Sequence, residues 1–135
     1  LNEIKCNFND RIFVHDAARP CIIKADIDNL LMSFKRNRDG AILAKKITDT
    51  IKKSLSHNIV ETIEREDKWL AETPQLFYYY VLINAFSQVD LKKITDEASA
   101  VESMGLSPVM IESNRFNLKV TKKKDIKLAN LILKL

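Results

Sequence analysis

Ile12-Phe13-Val14-His15-Asp16-Ala17-Ala18-Arg19-Pro20 reads as a strand that runs into a charged turn. Its first three residues are β-branched or aromatic, and its last is a proline that closes the turn. Between them a carboxylate, Asp16, and a guanidinium, Arg19, stand three residues apart. Strands of an open α/β sheet end at the edge where ligands bind, so the two side chains are placed for a cation and an anion. A strand-end salt bridge accounts for the same residues, and the stretch alone does not choose between the two readings.

Working outward, Asp26 can cap a helix in which Ile27, Leu30, Leu31 and Phe34 share one buried stripe. Lys35, Arg36 and Arg38 suit its last turn, and Asp39-Gly40 stops it. Ala41-Ile42-Leu43-Ala44 follows as a short buried strand. Strand, helix and strand together predict a right-handed parallel unit, with the first strand from inside a parallel sheet whose upstream strands would be gone, which leaves an exposed apolar edge. On the upstream side, Leu1 and Ile4 read as the end of a helix, and the first residue is not Met. Only two glycines occur, Gly40 and Gly105, so no phosphate-cradling Gly-rich loop can be built here. In a nucleotide-using enzyme that loop would lie upstream of residue 1.

From Lys45 to Arg65 the pattern changes to two half-polar segments, residues 46–53 and 59–65, joined by residues 54–58. Thr48, Thr50 and Lys52 share one face of the first and Ile47, Asp49 and Ile51 the other, as a period of two requires. The expected element is a β-hairpin arm that leaves the sheet and packs on another subunit, because such a ribbon is marginal alone. Residues 69–75 lead into a helix striped by Tyr78, Val81, Leu82, Ala85, Phe86 and Val89. Thr95-Asp96-Glu97 opens a further helix, with Thr95 as its cap, which Gly105 ends. Residues 108–112 and 117–120 are candidate strands. Thr121 caps a last helix that turns Ile126, Ala129, Ile132 and Leu133 inward.

Composition narrows the class of protein. The chain of 135 residues is 46% hydrophobic and 30% charged, the balance of one globular domain and not of a disordered chain. Its longest apolar run, Leu76 to Phe86, is too short to span a membrane. Cys6 and Cys21 have no metal-ligand spacing and suit a reducing compartment; with no signal peptide, the expected location is cytoplasmic. The net charge of +4 favours anionic ligands without choosing among them. No RNA-recognition aromatic signature, zinc pattern or basic heptad helix is present, so nucleic acid is not an expected partner.

Six stretches in this order resemble the 2-C-methyl-D-erythritol 4-phosphate cytidylyltransferases. They are residues 14–20, Asp49-Thr50-Ile51-Lys52, Arg65 followed by Trp69, Thr73-Pro74-Gln75, residues 94–102 (Ile-Thr-Asp-Glu-Ala-Ser-Ala-Val-Glu), and Asn117-Leu118-Lys119-Val120-Thr121. Related pentitol-phosphate cytidylyltransferases are less similar, particularly at 95–102 and Trp69. The resemblance implies a Rossmann-like α/β nucleotidyltransferase fold, a three-layer sandwich here without its N-terminal strands, with the arm of residues 45–66 protruding to form a homodimer. It also implies CTP and methylerythritol phosphate as ligands and magnesium or another divalent cation as cofactor.

By the same resemblance Arg65 and Lys119 position the acceptor's phosphate, a role for which a planar fork and a compact ammonium are both suited. Thr50 adds a hydroxyl to that phosphate and Thr95 one to the acceptor, with Thr73 a further candidate that turn chemistry also explains. Asp16 bonds acceptor hydroxyls or lies close to the metal, and Arg19 faces a phosphate or pairs with Asp16. His15 and His57 are assigned no chemistry. The loop that holds the triphosphate in the family is absent, so the chain alone is expected to be inactive. Two other readings remain: a non-catalytic dimerisation fragment and a basic nucleic-acid binder. Asp16, Arg65, Thr95 and Lys119 together argue against the first, and steeply salt-dependent binding would mark the second.

Overall fold

The computed structural model describes residues 5–90 and 92–135. The predicted end of a helix at Leu1 and Ile4 lies outside them. The elements run β1 (Arg11–Val14), α1 (Lys24–Phe34), β2 (Ala41–Lys46), β3 (Ile51–Leu55), β4 (Asn58–Ile63), β5 (Trp69–Tyr78), α2 (Tyr79–Gln88), α3 (Glu97–Glu102), β6 (Val109–Glu112) and α4 (Lys123–Ile132). Four strands form the main sheet in the order β1-β5-β2-β6, and β3 and β4 form a separate ribbon.

The strand-helix-strand unit is present, but its two strands are not neighbours. β5 lies between β1 and β2 and is antiparallel to both, while β2 and β6 pair in parallel. The expected parallel neighbour is corrected, since β5 is antiparallel to β1, whereas the expected apolar edge is present: β1 pairs only with β5 among the described residues, and Phe13 is 38% exposed. Alternation along the strands splits the core into two layers. Ala41, Leu43 and Leu76 turn to Leu30 and Phe34 of α1, and Ile42 and Phe77 turn to Val81, Leu82, Ala98 and Val101 of α2 and α3. The sheet is thus sandwiched between helices, the three layers predicted. Each fully buried Leu or Phe contributes about 1.5–3 kcal/mol.

Several local expectations change. Asp26 does not cap α1, which begins two residues earlier with Ile23 as N-cap. Its buried carboxylate instead accepts Asn114 N at 3.1 Å and the Asn114 side-chain amide, tying α1 to the segment after β6. Residues 69–75, expected only to lead into a helix, belong to the ten-residue β5, which also takes in Tyr78 of the expected stripe, and the helix starts at Tyr79. Asp96, not Thr95, caps α3, accepting Ser99 N at 2.9 Å. Residues 117–120 form no ladder, although Val120 N donates to Ala18 O at 2.7 Å. Lys122 holds the N-cap position of α4 in place of Thr121, whose hydroxyl bonds Asp125. Of the residues expected to face inward from α4, only Ala129 is buried; Ile126 and Leu133 are exposed.

The hairpin of the arm is present, but its strands lie at Ile51–Leu55 and Asn58–Ile63 instead of 46–53 and 59–65, and Ser54 and Leu55, expected in the connection, are part of β3. Ser56 and His57 both have positive φ, 48° and 68°, in the two-residue turn that joins β3 to β4. Positive φ at both central positions is the requirement of a type I′ hairpin turn. Leu55, Ile59 and Val60 of the arm are exposed.

Candidate active site

β1 ends at Val14, and the turn after it is closed by Arg19 N donating to Asp16 O at 2.9 Å. The neighbouring strand shapes this turn. Between β2 and β5 the register passes from Ile42 opposite Gln75 to Leu43 opposite Glu72, so Thr73 and Pro74 are extra residues in a bulge. A bulge is where a strand tolerates a proline without N–H, and it re-aims the side chain beside it. Here that side chain is Thr73, whose hydroxyl accepts Asp16 N at 2.9 Å and lies 3.1 Å from His15 Nδ1. His15 Nε2 lies 2.9 Å from Arg19 O. A carbonyl only accepts, so the Nε2 proton points to Arg19 O, and Nδ1 takes the Thr73 hydroxyl proton. Both ring nitrogens of His15 are thereby committed to holding the turn.

Residues 117–119 meet the turn from the other side. Asn117, 3% exposed, donates through Nδ2 to Thr73 O at 3.0 Å and to Glu72 Oε2 at 2.9 Å, while its own carbonyl accepts Arg19 Nη1 at 2.8 Å. Glu72 Oε1 is 3.4 Å from the same Nη1. Two residues on, Lys119 Nζ stands 2.8 Å from Asp16 Oδ2, and Arg19 Nε stands 3.6 Å from that oxygen. The Lys119 hydrogen bond is the main reason the Asp16 carboxyl lies below its ordinary range, with the charge of Arg19 a lesser one. Lys119 is half exposed, so its ammonium can reach an anion while Asp16 orients it. Lys119, Arg19, Lys45, Glu72 and Asn117 line a cleft of about 610 Å³ beside α4.

Asp16, Arg19, Thr73 and Lys119 are thus gathered at one place. Thr95 directly precedes Asp96, and the Gln75 side chain donates to Asp96 Oδ2 at 2.8 Å and accepts Ala98 N at 2.9 Å, which fixes the start of α3 beside the bulge. Thr50 and Arg65 belong to the arm instead. Arg65 donates to Thr48 O and lines a shallow cleft of about 490 Å³ at the arm's base with Lys46 and Thr48. Neither joins the Asp16 group within one chain. Of the two readings of Arg19, the geometry favours the ion pair, since its guanidinium is buried among Asp16, Glu72 and Asn117.

A resident divalent cation does not fit the surroundings of Asp16. No group of three or more His, Cys, Asp or Glu side chains that could hold a metal occurs among the described residues. The neighbours of Asp16 Oδ2 are an ammonium and a guanidinium, which occupy the place of a cation. Magnesium that arrives on substrate phosphates needs few protein ligands. Sequence reasoning missed Glu72, Asn117 and Gln75. A strand reading of residues 69–78 would have marked Glu72 and Gln75 as polar residues on a buried strand.

Residues 1–135 match the family model described as IspD, 2-C-methyl-D-erythritol 4-phosphate cytidylyltransferase. The chain belongs to this family. Among curated cytidylyltransferases of that name, the one from Vesicomyosocius okutanii is 41% identical over 127 residues, covering 93% of this chain and 52% of the relative. The one from Vibrio atlanticus is 43% identical over 139 residues, covering 98% of this chain and 60% of the relative. The crystal structure of the Francisella tularensis 2-C-methyl-D-erythritol 4-phosphate cytidylyltransferase superposes with a TM-score of 0.89 at 37% identity, over 97% of this chain and 63% of that one. The chain therefore spans between half and two thirds of the length of these cytidylyltransferases, and it shares the fold of the Francisella protein over 97% of its own length. No helix among the described residues is long and apolar enough to cross a membrane.

Proposed function

We propose that this chain is the acceptor-binding portion of a cytoplasmic enzyme that transfers a cytidylyl group from CTP to 2-C-methyl-D-erythritol 4-phosphate. The products are 4-diphosphocytidyl-2-C-methyl-D-erythritol and pyrophosphate, and the setting is the non-mevalonate isoprenoid pathway. The observation that carries the reading is the half-exposed Lys119 ammonium, oriented by Asp16 at the end of β1, in a chain of this family.

In the reaction an oxygen of the acceptor's phosphate attacks the α-phosphorus of CTP in line. The bond from that phosphorus to the bridging oxygen breaks, and pyrophosphate leaves with the electron pair. The nucleophile is already anionic, so alignment and positive charge supply the catalysis and no general base is needed. A His15 with both nitrogens engaged agrees with that requirement.

Lys119 holds the acceptor's phosphate, and Arg65 and Thr50 reach the same phosphate from the arm of a twofold partner. That assignment explains why an exposed Arg65 stands apart from Lys119 within one chain. Asp16 and Thr95 serve the acceptor's hydroxyls, Thr73 fixes the Asp16 backbone, and Arg19 lies buried beside Asp16 as a counter-charge without a hydrogen bond to it. Magnesium accompanies the phosphates of CTP. The triphosphate needs a Gly-rich loop that these 135 residues lack, so they do not turn over alone.

The test is pyrophosphate release by the full-length protein and by residues 1–135. Release by the first, only with CTP and methylerythritol phosphate together, and none by the second is expected. No release by the full-length protein, or faster release with a pentitol phosphate, would overturn the proposal.

A further inference from the structure

Two cationic groups compete for one carboxylate oxygen, and the outcome of that competition depends on a third residue, Glu72. Asp16 Oδ2 has two suitors: Lys119 Nζ at 2.8 Å and Arg19 Nε at 3.6 Å. The first is a hydrogen bond and the second is too long to be one. Arg19 Nε is in fact buried without a hydrogen-bond partner in the described structure. A buried guanidinium N–H left short of an adjacent carboxylate is held back by something. What holds it is at the other end of the guanidinium, where Nη1 donates to Asn117 O at 2.8 Å and lies 3.4 Å from Glu72 Oε1. Glu72 is itself 9% exposed and braced by Asn117 Nδ2 at 2.9 Å.

We propose that Glu72 is a positioning residue: by pulling Arg19 toward β5 it keeps Asp16 free to orient Lys119 toward the acceptor's phosphate. The inference rests on the acceptor-binding reading above. Without the Glu72 carboxylate, Asp16 is the nearest anion left to Arg19. Arg19 then closes the gap to Oδ2, and Asp16 is drawn off Lys119. The ammonium loses its fixed direction, and a point charge on a flexible stem binds phosphate less well than an oriented one. Asn117 still anchors the backbone of residues 117–119 through Thr73 O, so the effect falls on the ammonium and not on the fold.

Steady-state kinetics of the full-length protein with Glu72→Ala and Glu72→Gln test this. The alanine variant should raise KM for methylerythritol phosphate about tenfold, the scale of one charge-assisted phosphate contact, with KM for CTP changed less than about twofold. The glutamine variant keeps one acceptor oxygen, which can serve Asn117 Nδ2 or Arg19 Nη1 but not both, and it carries no charge, so it should raise the acceptor KM by at least roughly threefold. A merely structural Glu72 would lower kcat and the melting temperature and leave both KM values alone. That result, or an acceptor KM unchanged in both variants, would overturn the proposal. Should the alanine variant not fold, the isosteric glutamine variant decides by the same two values.

A second readout separates this proposal from the assigned reaction. Titration with inorganic phosphate, followed by the amide shift of Lys119, should weaken in Glu72→Ala even if wild type turns over no methylerythritol phosphate. Unchanged phosphate affinity there overturns the role of Glu72 alone.

Discussion

Replacing Gly40 by alanine should be among the most damaging single-methyl additions in the chain. Gly40 precedes β2 at φ +137°, a backbone conformation that L residues rarely adopt, and holding an alanine there costs about 1–3 kcal/mol. A Cβ would also overlap the ring of Phe77, which is fully buried between the sheet and helices α2 and α3. Overpacking of that kind costs about 1–3 kcal/mol more. The backbone cannot easily move aside, since Gly40 O accepts Val109 N at 2.9 Å where β6 joins β2. The sum is about 2–6 kcal/mol, against a usual total stability of about 5–15 kcal/mol. Urea unfolding of the full-length protein measures it, with Gly105→Ala as the control. Gly105 also has positive φ, +78°, but a Cβ there meets nothing within 4 Å, so its cost is limited to the backbone term of about 1–2 kcal/mol. Phe77→Leu should cost less in the Gly40→Ala background than in wild type by about 1 kcal/mol, because the two share one overlap. A Gly40→Ala variant no less stable than Gly105→Ala would refute this reasoning.

Asp96→Ala should lose the cap of α3, about 1 kcal/mol, and leave the buried Gln75 amide without its partner, about 1–3 kcal/mol more. Asp96→Asn keeps an acceptor oxygen for Ser99 N but sets its NH2 against Gln75 Nε2, so it should recover only the cap's share of about 1 kcal/mol, as thermal melts of the two variants will report. Asp16 has a pKa lowered in the folded state, so the stability it adds is present above its ordinary value of 3.8 and is lost as pH falls through the lower folded value. Wild type should therefore be more stable than Asp16→Asn near neutral pH, by less than about 1 kcal/mol for so exposed a pair. The difference should fade in unfolding curves taken well below pH 3.8.

How far the chain could be read without coordinates differs from element to element. The helix carrying Leu30 and Phe34 declared itself through spacing, and the arm through its period of two. β5 was hidden because Leu76 and Phe77 are buried on opposite faces of a central strand. A strand buried on both sides shows a continuous apolar run that merges with the stripe of the helix after it. The caps of α1 and α3 were misplaced by one to three residues for a common reason: an acid near a helix start can cap it or bond elsewhere. Asp26 was taken by Asn114, and Asp96 by Ser99 and Gln75. At the site, Asp16 and Arg19 could be named from one stretch and Lys119 from resemblance. Glu72 and Asn117 could not, because their roles come from contacts 45 and 98 residues apart in the chain.

The central claim is an acceptor site shared between two copies, Lys119 from one and Arg65 from the other, and a mixed dimer tests it most directly. Full-length Lys119→Ala and Arg65→Ala proteins, each nearly inactive, are unfolded together, refolded and assayed for pyrophosphate release. Half of the dimers are then mixed, and one of the two sites in each mixed dimer has both side chains. Activity should return to about a quarter of wild type. Activity that stays at the level of the separate variants would contradict the shared site.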